Sequence, residues 1–129
     1  MILDTSAIVA IVLNEPGAED LIEAARATPV LAVAAPSLAE AGIVLQSRLQ
    51  VEGQGLLDRF LRDFEVIVLS FSDRHWREAV DAYRRYGKGF HPAALNFGDC
   101  MSYAAAKVTG QPLLYVGNDF ARTDLAGPG

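Results

Sequence analysis

Apolar and polar residues alternate in blocks along this chain, and the period within each block indicates its element. Met1 to Leu3 is a short apolar run that meets Asp4, and Thr5-Ser6 leads from there into the apolar segment Ala7 to Leu13. No turn cluster separates the two halves, so we expect a buried strand ending at Asp4 and a helix starting at Thr5 or Ser6. Asn14-Glu15-Pro16-Gly17 is a turn signal. Ala18 to Ala27 then carries Leu21, Ile22 and Ala25 at helical spacing, with acids toward its start. Val30 to Ala34, between Pro29 and Pro36, reads as a buried parallel strand. Pro36-Ser37 opens a third helix through Leu49, with Leu38, Ala41, Leu45 and Leu49 on one stripe.

Gly53 and Gly55 break the pattern before Leu56, Leu57, Phe60, Leu61 and Phe64 set out a fourth, amphipathic helix. Val66 to Leu69 is a β-branched run and a third strand. Ser72 is the expected N-cap of a fifth helix that turns Trp76, Ala79, Val80 and Tyr83 inward. After a Gly-rich loop, Asn96-Phe97-Gly98-Asp99 leads into a sixth helix with Cys100, Tyr103, Ala104, Lys107 and Val108 at helical spacing. Leu113 to Val116 is a fourth buried strand, followed by Gly117-Asn118-Asp119-Phe120; Ala121 to Gly129 leaves room for only a stub of a fifth. Alternating strands and helices predict an α/β fold with a mainly parallel sheet of four to five strands. With no linker, repeat or low-complexity segment, residues 1–129 read as one domain.

Composition narrows the class. Charged residues are only 21% and apolar residues 51%, which excludes a disordered chain. The mean hydropathy is positive, which helices with exposed apolar faces, and so a dimer or obligate partner, would explain. No apolar run approaches the roughly 18 residues of a membrane helix, and the N-terminus lacks a basic n-region, so we expect neither membrane association nor secretion. Ala32-Val33-Ala34 resembles a signal-cleavage tripeptide, but the charged stretch from Glu15 to Arg26 intervenes. Cys100 is the single cysteine, which excludes an intrachain disulfide, suits a reducing cytoplasm and reads as a small buried apolar residue. The balance of 11 basic against 16 acidic residues excludes a generic basic-patch nucleic-acid binder. A nucleic-acid substrate stays possible if metal ions offset the local acids.

Four acids stand alone in apolar surroundings. Asp4 is the sole charge from Met1 to Asn14, and Glu40 the sole charge between Arg26 and Arg48. Asp99 is the sole formal charge between Lys88 and Lys107, and Asp119 between Lys107 and Arg122. Burying one such carboxylate costs several kcal/mol unless a cation compensates. Each also has an ordinary reading: Asp4 and Asp119 as strand ends or caps, Asp99 as a complement to a helix dipole, Glu40 as a side chain reaching solvent. Gathered together, they would repel one another, and a hard divalent cation with oxygen ligands, Mg²⁺ or Mn²⁺, would remove that conflict.

With these motifs the chain resembles the PIN domains, and among them the VapC-type toxin ribonucleases of bacterial toxin–antitoxin pairs. The matching residues are Leu3-Asp4-Thr5-Ser6, Glu40, Asn96-Phe97-Gly98-Asp99-Cys100 with Tyr103-Ala104, and Gly117-Asn118-Asp119-Phe120 with Thr123-Asp124. The resemblance implies a three-layer α/β/α fold and a metal-dependent endoribonuclease that leaves 5′-phosphate and 3′-hydroxyl ends. Asp4, Glu40, Asp99 and Asp119 match the family's catalytic, metal-binding quartet, Asp4 and Asp99 as its most constant ligands. Ser6 matches a hydroxyl that orients the first acid, and Thr5 and Asn118 flank the site. Asp124 reads as structural. The resemblance further implies Mg²⁺, with Mn²⁺ as a possible substitute, an RNA substrate, a homodimer and a cognate VapB-like antitoxin. Operator DNA would be met only through that antitoxin. Ala7–Leu13, Leu38–Leu49 and Leu56 to Phe64 are the candidate partner surfaces.

Competing readings meet specific obstacles. A haloacid-dehalogenase-like phosphatase needs a second Asp where Ser6 stands. A phosphoacceptor receiver needs an Asp closing the third strand, where this chain has Leu69-Ser70. A non-catalytic module of the same fold, or a metal-dependent phosphatase on a similar scaffold, stays as the alternative. Arg74, Arg77, Arg84, Arg85 and Lys88 form the densest basic run, near Tyr83, Tyr86 and His91, and read as a solvated helix face rather than an RNA surface. His75 and His91 have no metal-ligand spacing.

Overall fold

The structure is a computed structural model that describes residues 1–125. Four strands form one parallel sheet: β1 (Ile2–Leu3), β2 (Leu31–Ala34), β3 (Val66–Leu69) and β4 (Leu113–Leu114), in the order β3-β2-β1-β4. Its helices are α1 (Thr5–Val12), α2 (Ala18–Ala27), α3 (Ala35–Leu49), α4 (Gly53–Asp63), α5 (Asp73–Tyr86) and α6 (Phe97–Thr109). Successive strand residues point to opposite faces, and here both faces of β1, β2 and β4 are covered, while Ile67 and Val68 of the edge strand β3 stay exposed. Ile2, Ala32, Ala34 and Leu113 pack into one core with α5 and α6. Leu3, Leu31, Val33 and Leu114 pack into another with α1, α2, α3 and α4. The result has the parallel sheet that the alternation predicts, in the three-layer α/β/α arrangement that the resemblance implies.

Among the described residues the sheet stops at four strands. Of the tail proposed for a fifth strand, residues 121–125 form no strand, Phe120–Arg122 being a turn of 3-10 helix, and residues 126–129 lie outside the described residues. β4 is shorter than expected because Val116 gives its N–H to the Ser6 hydroxyl (3.0 Å) rather than to a strand. α4 begins at Gly53, earlier than periodicity indicates, because Glu52 accepts hydrogen bonds from the N–H groups of Gln54 and Gly55.

α5 departs most from expectation. Ala79 is buried, but Trp76, Val80 and Tyr83 are exposed, and the inward stripe is His75, Ala79 and Ala82. Ala79 and Ala82 share a core with Ala104, Ala105 and Ala106 of α6. Small residues on both helices let them approach closely, which leaves the larger stripe outside. The backbone N–H of Ser72 donates to His75 Nδ1 at 3.0 Å, which gives that histidine a place in the helix start. Among the described residues no helix is long and apolar enough to cross a membrane.

Candidate active site

Parallel strands deliver their carboxyl ends to one edge of the sheet, and that edge is where open α/β folds bind ligands. Asp4 follows β1 directly and is the N-cap of α1. Its Oδ2 accepts the Ser6 N–H at 3.0 Å and the Ser6 hydroxyl at 2.6 Å. Oδ1 accepts no hydrogen bond among the described residues, although the side chain is buried. The Ser6 hydroxyl is used twice, since it also accepts the Val116 N–H. It therefore couples the first acid to the turn that carries Asp119. Gly117 makes that turn in a left-handed conformation (φ 98°), which disfavours any residue with a Cβ.

Asp99 sits in the first turn of α6, where a reciprocal capping box holds it. Asn96 Oδ1 accepts the Asp99 N–H at 2.9 Å, and Asp99 Oδ2 accepts the Asn96 N–H at 3.0 Å. In sequence Asp99 reads as a complement to the helix dipole; the structure puts it in that first turn and adds the capping box, and the same carboxyl has a further property. Burial, followed by the charges of Asp4, Asp119 and Glu40, outweighs the Asn96 hydrogen bond and raises its pKa from 3.8 to about 6. Three carboxylates from distant parts of the chain therefore act on a fourth. Glu40 arrives from α3, and its carboxylate lies against the backbone of Gly98. Asp119 is exposed on its turn.

Such a donor set is oxygen-only and negative, as a hard divalent cation requires. Among the described residues no three His, Cys, Asp or Glu side chains form a ready cage for an ion. Mg²⁺ sites commonly use one or two carboxylates together with water and substrate phosphate. An open cluster with an unused Asp4 oxygen and an Asp99 carboxyl set among burial and neighbouring negative charge fits that kind of site.

Thr5 has another task than touching the acids. Its hydroxyl donates to the Ser37 carbonyl at 2.9 Å, and Ser37 Oγ is 2.9 Å from Ser102 Oγ, all buried. These hydroxyls tie together α1, α3 and α6, the helices that follow or carry Asp4, Glu40 and Asp99. Sequence reasoning missed Ser37 and Ser102. The available signal was spacing, because each lies three residues, about one helical turn, from an isolated acid. Asn118 is exposed, and no hydrogen bond joins it to the four acids among the described residues.

Asp124 stands apart from the cluster. It accepts hydrogen bonds from Tyr103 and Lys107, each 2.8 Å, and lies 3.9 Å from Arg85. Burial would raise its pKa, but these bonds and charges hold it below the usual value. The basic run on α5 is largely paired: Arg77 with Asp73, and Arg84 and Arg85 with Asp81. Cys100 is buried beside Asp99, and desolvation first, then that charge, pushes its thiol up to about 11.

Comparison with known proteins gives a consistent result. The family model described as PIN domain matches residues 1–125. The chain is 48% identical over 126 residues to Ribonuclease VapC42 of Mycobacterium tuberculosis, covering 97% of this chain and 96% of that one. It is 47% identical over 126 residues to Ribonuclease VapC of Mycolicibacterium smegmatis, covering 98% of each. Among solved structures, VapC20 of Mycobacterium tuberculosis, described as a Sarcin-Ricin loop cleaving toxin, superposes with a TM-score of 0.74 at 16% identity, over 96% of this chain and 95% of that one. A toxin–antitoxin complex from Klebsiella pneumoniae gives 0.71 at 17% identity, over 95% and 92%. At such identities the structural likeness speaks for the fold, while the sequence relatives and the matched model speak for the family. This chain belongs to the PIN-domain family and, within it, to the VapC ribonucleases.

Proposed function

We propose that this VapC ribonuclease is the toxin of a toxin–antitoxin pair and hydrolyses RNA phosphodiester bonds internally, with Mg²⁺ or Mn²⁺ as cofactor. The observation that carries this reading is that the charges of Asp4, Asp119 and Glu40, each as isolated in the sequence as Asp99, all bear on the Asp99 carboxyl at the carboxyl edge of the sheet. In this reading Asp4 and Asp99 hold the cation, with Glu40 and Asp119 completing the site. The cation, when bound, would activate water and offset charge developing on the phosphate. Ser6 fixes the Asp4 carboxylate through one oxygen and leaves the other for that task. Asp99, with its pKa near 6, is mostly ionised at pH 7 but carries unrelieved repulsion, which a cation lowers. Asp119, on an exposed turn, is the acid best placed to meet an incoming RNA strand.

The partner reading is supported by apolar surface left uncovered in the single chain. One such region is the groove between α3 and α4, lined by Leu38, Ile43, Leu57 and Leu61. Another is the outer side of α5 with the start of α6, where Val80 is 62% and Phe97 77% exposed. α1 contributes less than expected, since Ala7 to Ala10 are buried. These two faces are available to a homodimer and to a VapB-like antitoxin in a cytoplasmic complex. A solved neighbour, VapBC2 of Rickettsia felis, is described as bound to a DNA fragment from its promoter (TM-score 0.70). DNA would reach the present chain only through its antitoxin.

A cleavage assay on a structured RNA with Mg²⁺, Mn²⁺ or EDTA tests the activity. Cleavage is expected with either metal, none with EDTA, and none for Asp4→Asn or Asp99→Asn. Undiminished cleavage by either variant refutes the assignment of the site. A stable, soluble monomer in light scattering, with no partner present, counts against the reading of the apolar faces.

A further inference from the structure

Glu40 reaches the acidic cluster along the first turn of α6, and its carboxylate stops at Gly98. A Cβ built on Gly98 stands 2.5 Å from both Glu40 carboxylate oxygens and 2.8 Å from Cδ. Any side chain at this position therefore displaces the Glu40 carboxylate. The backbone does not itself call for glycine here, because Gly98 is not among the residues with positive φ. Glycine also weakens a helix relative to alanine. Local structure alone thus favours alanine at 98, and against it stands the approach of Glu40, to which the three atoms nearest an added Cβ all belong.

We propose that Gly98 is a positioning residue whose missing side chain is the space through which Glu40 joins Asp99, Asp4 and Asp119. The inference rests on the reading of Glu40 as a site acid, and it adds a determinant one residue from Asp99. It also accounts for the order Gly98-Asp99. The first turn of α6 supplies one carboxylate itself and, beside it, admits a second from α3.

The test is a cycle of wild type, Gly98→Ala, Glu40→Ala and the double variant in the full chain. Cleavage rates, Mn²⁺ affinity by titration calorimetry and melting temperature are measured for each. G98A is expected to melt no earlier than wild type, yet to lose about 10–100-fold in kcat and in Mn²⁺ affinity, as for other residues that orient metal ligands. E40A should lose a similar factor, and the double variant should match E40A within about twofold, because the alanine then has no carboxylate to displace. Wild-type kcat and Mn²⁺ affinity in G98A overturn the proposal. So do losses from G98A and E40A that multiply, or an earlier melting of G98A that is the same in both Glu40 backgrounds. Full activity and Mn²⁺ affinity in E40A instead remove the reading of Glu40 itself, whatever G98A does.

Discussion

Asp99→Asn separates what this carboxyl costs the fold from what it supplies to the site. Burial and the charges of Asp4, Asp119 and Glu40 raise its pKa from 3.8 to about 6. At 1.36 kcal/mol per pH unit, that rise disfavours the ionised native state by about 3 kcal/mol. The side chain is partly open to water, and screening there brings the figure to about 2 kcal/mol. Asparagine removes the charge, while its amide oxygen can still accept the Asn96 N–H of the capping box. Some favourable interaction with the α6 N-terminus is lost, about 0.3–1 kcal/mol. We therefore expect metal-free D99N to be more stable than wild type at pH 7 by about 1–2 kcal/mol, or about 3–8 °C in melting temperature.

The pH dependence has a definite sign. The native state keeps the Asp99 proton up to about pH 6, whereas the unfolded chain releases it near 3.8. Between these values the native state binds more protons, so this group makes wild-type stability fall as pH rises. The advantage of D99N should vanish below about pH 4 and be complete above about pH 6. Urea unfolding in EDTA, followed by far-ultraviolet circular dichroism at several pH values, measures it. Adding Mg²⁺ at a hundred times its dissociation constant should then stabilise wild type by about 2.7 kcal/mol and leave D99N nearly unchanged. D99N that is equal to or less stable than wild type in EDTA at pH 7 refutes the claim that burial and the neighbouring carboxylates disfavour the ionised Asp99.

Other perturbations probe the supporting structure. Ser6→Ala removes both the 2.6 Å bond to Asp4 and the acceptor for Val116; kcat should fall about 10–100-fold, and an unchanged kcat in steady-state assays sinks the orienting role. Ser37→Ala leaves the buried Ser102 hydroxyl without its partner at 2.9 Å and should cost about 1–3 kcal/mol in chemical denaturation. The S37A/S102A double variant should cost less than the sum of the singles; strict additivity shows that the hydroxyls do not act as a pair. Arg74→Ala and Arg77→Ala on the outside of α5 should leave KM for RNA within about twofold, as for weak surface ion pairs. A rise of about tenfold in KM, worth about 1.4 kcal/mol, would make that helix an RNA-binding surface.

The order of strands and helices was legible because each element declares its period within a few residues. Val30 to Ala34 shows an unbroken apolar run between prolines, and Leu31–Ala34 of it forms a strand buried on both faces. The isolation of Asp4, Glu40, Asp99 and Asp119 was legible for a similar reason, since a charge without charged neighbours is visible along the chain. α5 shows where such reading stops. Two stripes offset by one residue compete there, and hydrophobicity alone favours Trp76, Val80 and Tyr83. The small stripe won because the facing surface of α6 is itself alanine, and only a partner helix can set that preference.

From its own residues the chain determined its elements, the parallel α/β class and the four acids worth watching, because periodicity and local charge are properties of sequence neighbours. Tertiary structure alone decided that Ser6 joins Asp4 to Val116, that Ser37 meets Ser102, and that Glu40 comes to rest on Gly98. Those contacts span 110, 65 and 58 positions of the chain. They exist because the helices pack against the two faces of the sheet and so bring distant segments together. A hydrogen bond between distant segments leaves no period in the sequence, and a glycine needed for another side chain's approach looks like any other glycine until the two are brought together.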